Sequence, residues 1–287
     1  MPSSLCERLG YSAESRLLIV NADDFGMCHA ENCATIDGLG AGAYTSSTIM
    51  VPCPWFDEAA AHARAHPDTD LGVHLTQTSE WETYKWGPVA GRSSVPSLVD
   101  KNGHFFPTVR DVYDRASLAD VERESRAQIE QALAAGIDVT HIDSHMGTMQ
   151  LDPAYHELYV NVAADYRLPL RMVPRKLLAR MGYDGALHLL DDRGVLGPDF
   201  FLIDGPPQPE ATAEYWTNVF RNLRPGVTEI YLHAGYDEPE LRACCPAWQQ
   251  RVADHAFFTA EQTQATLASL GVVRIGYRAL REAQRAG

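Results

Sequence analysis

The chain is short of positive charge, of paired cysteines and of long apolar runs, and each shortage removes a class of function. Its 287 residues carry 24 Lys and Arg against 38 Asp and Glu, a formal net charge of −14, with no basic run or stripe, which argues against a nucleic-acid partner. The six cysteines, Cys6, Cys28, Cys33, Cys53, Cys244 and Cys245, contain no Cys-x-x-Cys pair. A zinc finger and a dithiol redox motif are therefore not expected, and reduced thiols in a cytoplasmic protein are the simplest reading. No segment approaches the roughly 20 apolar residues that span a bilayer, and Met1–Gly10 lacks the charged lead and apolar core of a signal peptide. Gly/Ser-rich linkers and internal repeats are missing too.

What the chain does contain is alternation. Strand-like apolar runs stand at Leu17–Asn21, Ser47–Val51, Leu71–Leu75, Val139–Asp143, Leu170–Val173, Phe200–Ile203, Glu229–His233 and Val272–Ile275, with helical segments between most of them. The clearest helix is predicted from Leu118 to Ala135, where Ser117 with Asp120 offers a capping box and Gly136 a stop. Thr259 with Gln262 predicts a similar cap before Ala265–Leu270. Strand–helix alternation over the whole length implies an α/β fold with a mainly parallel sheet, doubly wound or closed into a barrel. One domain over residues 1–287 is expected, interrupted by one long irregular stretch at Thr76–Thr108.

In parallel α/β folds the carboxyl ends of strands build the site. Here four such ends carry reactive side chains: Asp23-Asp24 after Leu17–Val20, His74 in Gly-Val-His-Leu, the cluster His141-Ile142-Asp143-Ser144-His145, and His233 in Tyr-Leu-His-Ala-Gly-Tyr. Adjacent carboxylates repel and resist desolvation, so a strand-end pair is readily explained by a cation beside it. Alone, Asp-Asp reads equally as a turn or helix cap, and a single His as a structural residue. Three histidine segments and a double Asp, each at a separate strand end, favour a site. One Asp, His74 and one of His141 or His145 make a facial oxygen–nitrogen set for a divalent ion, leaving the other Asp free as general base and His233 as proton donor.

These segments, Asn21-Ala22-Asp23-Asp24-Phe25-Gly26, Gly72-Val73-His74-Leu75, His141-Ile142-Asp143-Ser144-His145 and His233-Ala234-Gly235-Tyr236, resemble those of the YdjC/ChbG-type carbohydrate deacetylases, in order from Leu17 to about Leu280. The resemblance implies a distorted (β/α) barrel of about seven mainly parallel strands, related to polysaccharide deacetylases. It also implies a metal-dependent hydrolase that removes N-acetyl groups from amino-sugar oligosaccharides. By that resemblance Asp24, His74 and His145 hold one divalent ion, Mg²⁺ or Zn²⁺. Asp23 is the general base and His233 the general acid. Gly147 stands where many relatives have a further His, and Ala234 where many have Pro, which implies a shifted substrate pocket.

Substrate contacts are expected from Arg171, which needs a partner or a ligand on its strand, from Trp81 and Trp86 (with Tyr84) in the long loop, and from Tyr236 beside His233, since sugar faces pack on aromatic rings. Arg175 and Lys176 are candidates for an anionic substituent. Asp143 is expected to orient an imidazole or to bond its own loop. The partner is thus a small N-acetylated carbohydrate, with no nucleic acid, no membrane span and a possible homodimer. Two other readings remain, a phosphoesterase or other metal hydrolase on the same scaffold, and a non-catalytic sugar-binding barrel.

Overall fold

The run Leu17–Val20 is apolar on both faces because its strand is covered on both faces, the signature of a central parallel strand. It opens β1 (Arg16–Phe25), followed in the chain by β2 (Ser46–Ile49), β3 (Leu71–Leu75), β4 (Val139–Ser144), β5 (Phe200–Leu202), β6 (Gly226–His233) and β7 (Val272–Arg274). The structure, a computed structural model, describes residues 4–287 apart from 174, 181 and 184, and leaves the side chains of 175, 176, 179, 186 and 187 undescribed. The strands lie in the order β4-β3-β2-β1-β6-β5, with β7 beside the first residues of β1. Every pairing is parallel. The curled sheet with helices packed on it is a distorted (β/α) barrel, which decides between the two forms the alternation left open and agrees with the resemblance. Among the described residues no helix is long and apolar enough to cross a membrane.

Local expectations fare unevenly. Leu170–Val173 does not form a strand. Leu170 makes one bridge to Ile142, fixed by Ile142 N–H to Pro169 O and Arg171 N–H to Ile142 O, both 3.1 Å. Prolines at 169 and 174 bracket the segment and remove the amide donors a longer ladder would use. The helix Leu118–Ala134 forms where expected, and Ser117 accepts the Asp120 amide at 3.2 Å, but the box is only half made. The Asp120 carboxylate accepts instead from the amide and hydroxyl of Ser97, at 3.0 and 2.6 Å, tying the long loop to this helix. Thr259 is not a cap: it ends the helix Trp248–Thr259 and donates back to His255 O at 2.7 Å.

The 76–108 stretch is held as a folded flap. Glu124 accepts the amides of Val89 and Ala90, each at 3.0 Å, and Trp86 Nε1 donates to Thr78 O at 2.7 Å. Its own Trp81, Trp86, Val95, Leu98 and Phe105 are buried in the main core cluster.

In that same cluster's neighbourhood, on the helix Pro153–Tyr166, His156 is fully buried with both ring nitrogens unpartnered, edge-on to Tyr159 and Tyr183. Burial pulls its pKa down to about 4. Because the unfolded chain takes up a proton near pH 6.5 and the folded one does not until about 4, stability is complete above 6.5 and falls as the pH drops between those values. The loss is about 3 kcal/mol at most, by 1.4 kcal/mol per pH unit. His156→Phe is expected to remove this part of the acid sensitivity, read as a smaller fall in melting temperature between pH 7 and pH 4.5. An unchanged pH dependence would exclude His156 as its source.

Candidate active site

The register of the sheet assembles the site before any side chain is considered. Asp23 of β1 lies directly opposite His233 of β6, and His74 of β3 opposite Asp143 of β4. Neighbours on a regular strand point to opposite faces. Asp23 and Asp24 nonetheless line the same pocket, because the β1–β2 register slips between Ala22 and Phe25 and Asp24 takes φ = 67°. Asp tolerates this left-handed conformation better than most residues, and a bulge of this kind re-aims a side chain. Gly26 follows at φ = 96°, packed close to the Met50 carbonyl.

Asp23 is buried and clamped. Arg171 donates from Nη1 and Nη2 to its two oxygens, both at 2.7 Å, and Asn21 Nδ2 adds a third bond at 2.8 Å. Burial alone would raise this carboxyl, but the Arg171 charge and its bidentate bonds outweigh that and hold it at about 2, so it is ionised at any working pH. Arg171 also contacts Asp143 and Glu229, each at 2.9 Å, so one fully buried guanidinium serves three carboxylates. Glu229, on β6, is raised to about 7 by burial, against the lowering pull of Arg171 and the 2.5 Å bond from Tyr277.

Asp24 has a different environment. Its Oδ2 accepts from Arg251 Nη2 at 2.9 Å, while its Oδ1 is buried without a hydrogen bond. Facing that orphan oxygen are His74 Nε2 at 3.3 Å and His145 Nδ1 at 3.4 Å, with the two nitrogens 3.2 Å apart. Burial opposes ionisation of Asp24, yet the charges of His233 and Arg251 hold it well below the usual carboxylate range. The outer nitrogen of each imidazole is engaged: His74 Nδ1 with Asp143 at 2.6 Å, His145 Nε2 with Glu80 at 3.0 Å. One oxygen and two nitrogens with edges of 3.2–3.4 Å match the face that ligands about 2.1 Å from a divalent ion would span, and the carboxylate–imidazole pairs behind them are those that orient metal-binding histidines. These residues could hold such an ion. A second grouping, Asp23, His74 and Asp143, is already occupied by Arg171 and by the His74–Asp143 bond.

His233 is one-third exposed and stands 3.6 Å from Asp24 Oδ2. Around these groups opens a cavity of about 330 Å³ lined by Asp23, Asp24, His74, His145, Arg171 and His233, among others. All six residues meet here. The aromatic contacts do not. Trp81 and Trp86 are buried, Trp81 beneath the Arg251 guanidinium at 5.7 Å and Trp86 edge-on to His145 at 6.2 Å, so they pack behind the site. Tyr236 is turned to Asp37, to which it donates at 2.5 Å, and to the His255 ring. His141 lies deeper, stacked on Tyr277 at 3.8 Å with Nε2 3.2 Å from Asn21 Oδ1. The side chains of Arg175 and Lys176 fall outside the described part.

Glu80 and Arg251 escaped the sequence reading. Glu80 sits in the flap without a motif. Arg251 sits mid-helix in Trp248–Thr259, where Arg ordinarily faces solvent, and only the docking of that helix against β6 and the helix His29–Gly40 brings it to Asp24 and Glu31. Glu80→Gln is expected to lower turnover by about ten- to hundredfold, the usual cost of losing the carboxylate behind a ligand histidine. Unchanged kinetics would reduce that contact to packing.

The chain matches the family described as YdjC-like protein over residues 17–269. It is 33% identical over 266 residues to a carbohydrate deacetylase of Geobacillus stearothermophilus, covering 92% of this chain and 97% of that one. To a carbohydrate deacetylase of Thermus thermophilus it is 32% identical over 294 residues, covering 97% and 98%. A crystal structure from Enterococcus faecalis, described as a candidate cellobiose-phosphate cleavage protein, superimposes with a TM-score of 0.79 at 28% identity, covering 93% of this chain and 99% of that one.

Proposed function

Because the chain belongs to the YdjC-like protein family, we propose that it is a metal-dependent hydrolase removing N-acetyl groups from amino-sugar substrates. The observation that carries this reading is the orphaned Asp24 Oδ1 facing His74 Nε2 and His145 Nδ1, a donor set for one divalent ion, Mg²⁺ or Zn²⁺. Such an ion supplies Lewis-acid polarisation of the acetamide carbonyl and acidifies water beside it. Asp23, ionised and fixed by Arg171, accepts a proton from the water as its oxygen attacks the carbonyl carbon. A base held at about 2 is weak, so its contribution lies in being always deprotonated and fixed in place. His233, across the register from Asp23, donates a proton to the nitrogen as the C–N bond breaks, and the free amine and acetate leave.

The occupied second grouping speaks against a two-ion phosphoesterase, since Arg171 already fills the position a second cation would take. The clamped base speaks against a purely binding barrel, because sugar binding has no need of it. The test is acetate release from N-acetylated mono- and oligosaccharides by the metal-stripped protein, with and without added Mg²⁺ or Zn²⁺. Ion-dependent acetate is expected; none from any substrate would overturn the reading.

A further inference from the structure

The described residues expose seven large hydrophobic side chains, and three of them, Met146, Leu151 and Ile203, line the mouth of the single pocket that holds the Asp and His cluster. At 50%, 36% and 42% exposure they stand in water beside the most polar site of the molecule. Scattered single hydrophobics are normal on a surface, whereas three converging on one opening form a patch. Two segments supply them. Met146 and Leu151 come from the turn between β4 and the helix Pro153–Tyr166, and Ile203 directly follows β5, the strand at the other end of the sheet order. The turn is built to present its apolar side chain. Met146 adopts φ = 55° and Gly147 φ = 67°, directly after His145. For Met this left-handed conformation is uncommon and costs free energy, while half the side chain remains outside.

The polar lining offers little to a ligand beyond the reacting group. Arg171 is bound to three carboxylates and Arg251 to Asp24 and Glu31. Glu80 holds His145, Ser144 accepts the Met149 amide at 2.9 Å, and Gln150 donates to Arg171 O at 2.8 Å. A second pyranose ring at the mouth would bring several hydroxyls to a wall of methyl and methylene groups. An apolar group would bury that wall without leaving polar groups unpaired.

The geometry points to an apolar subsite at Met146, Leu151 and Ile203 that takes the aglycone of the substrate, so that the preferred substrate is a single N-acetylated amino sugar linked to an alkyl or aryl group. This inference rests on the deacetylase reading of the same pocket and goes beyond it in naming what the sugar is attached to.

The experiment compares four compounds on the metal-loaded protein: the methyl, hexyl and phenyl β-glycosides of N-acetylglucosamine, and the unmodified N-acetylated disaccharide. Acetate release gives kcat/KM, and titration calorimetry gives affinity independently of turnover. The hexyl and phenyl glycosides are expected to exceed the methyl glycoside by at least about tenfold, as burial of a modest apolar area predicts, with the disaccharide close to the methyl compound. Ile203→Ser and Met146→Ser should each bring the hexyl-to-methyl ratio toward one; a ratio within one variant does not depend on how much of it is folded. A wild-type ratio near one, a preferred disaccharide, or a ratio unmoved in both variants would overturn the subsite. If no compound releases acetate while hexyl still binds more tightly than methyl, the subsite stands and the deacetylase reading falls. If neither effect is seen, both fall.

Discussion

Arg171→Met is expected to be the most destabilising single substitution in the protein. It strips the counter-charge from Asp23, Asp143 and Glu229 at once, all of them buried. Removing one partner of a buried ion pair typically costs about 3–5 kcal/mol, because the remaining charge keeps its desolvation penalty. Three carboxylates would not all stay ionised. Glu229, already raised to about 7 by burial, is the one expected to take up a proton first. For a chain of this size, that loss corresponds to a fall in melting temperature of roughly 10 °C. Arg171→Lys should recover only part of it, since an ammonium cannot reproduce the planar fork that reaches both oxygens of Asp23 and Glu229 together. Melting within a degree of the wild type for Arg171→Met would show that the network contributes little to stability.

The second large effect separates two neighbours at one strand end. Asp23→Asn is expected to lower turnover roughly 1000-fold, within the range for removing a general base, while leaving bound metal in place. His74→Ala is expected to abolish both. The difference follows from their surroundings: Asp23 faces a guanidinium, whereas His74 Nε2 faces the unpartnered oxygen of Asp24. Metal content after desalting, measured beside acetate release, distinguishes them. Asp23→Asn that turns over normally would remove it as the base; His74→Ala that keeps stoichiometric metal would remove it as a ligand. Some stability loss is expected in Asp23→Asn as well, since an amide presents Arg171 with one acceptor where the carboxylate offered two.

The site was legible in sequence to the extent that it depends on the sheet. Asp23, Asp24, His74, His145 and His233 all sit at carboxyl ends of parallel strands, and a parallel sheet brings such ends together whatever the details of packing. Seven of the eight expected strands formed, and in β1 to β4 the reason is the same: short runs buried on both faces have few alternatives. The eighth, Leu170–Val173, failed because the flanking prolines outweigh its apolar content. Side chains whose role depends on how a loop or helix docks were not legible. Glu80 and Arg251 reach the centre from the flap and from a late helix. Trp81, Trp86 and Tyr236 carry the right chemistry for a sugar, yet docking turned Trp81 and Trp86 into the core and Tyr236 onto Asp37.

The register slip between Ala22 and Phe25 also bears on how such a protein loses its activity over evolutionary time. Both carboxylates face one pocket only because the strand carries an irregularity of one residue. Deleting a single residue there would restore strict alternation and send one of the two acids to the opposite face, with the sheet, the flap and the histidines left standing. A folded but silent relative is therefore one codon of length away, a shorter route than the several substitutions needed to dismantle the histidines and their partners. Among descendants of this fold, the length of this segment should report retained activity more sharply than overall identity does.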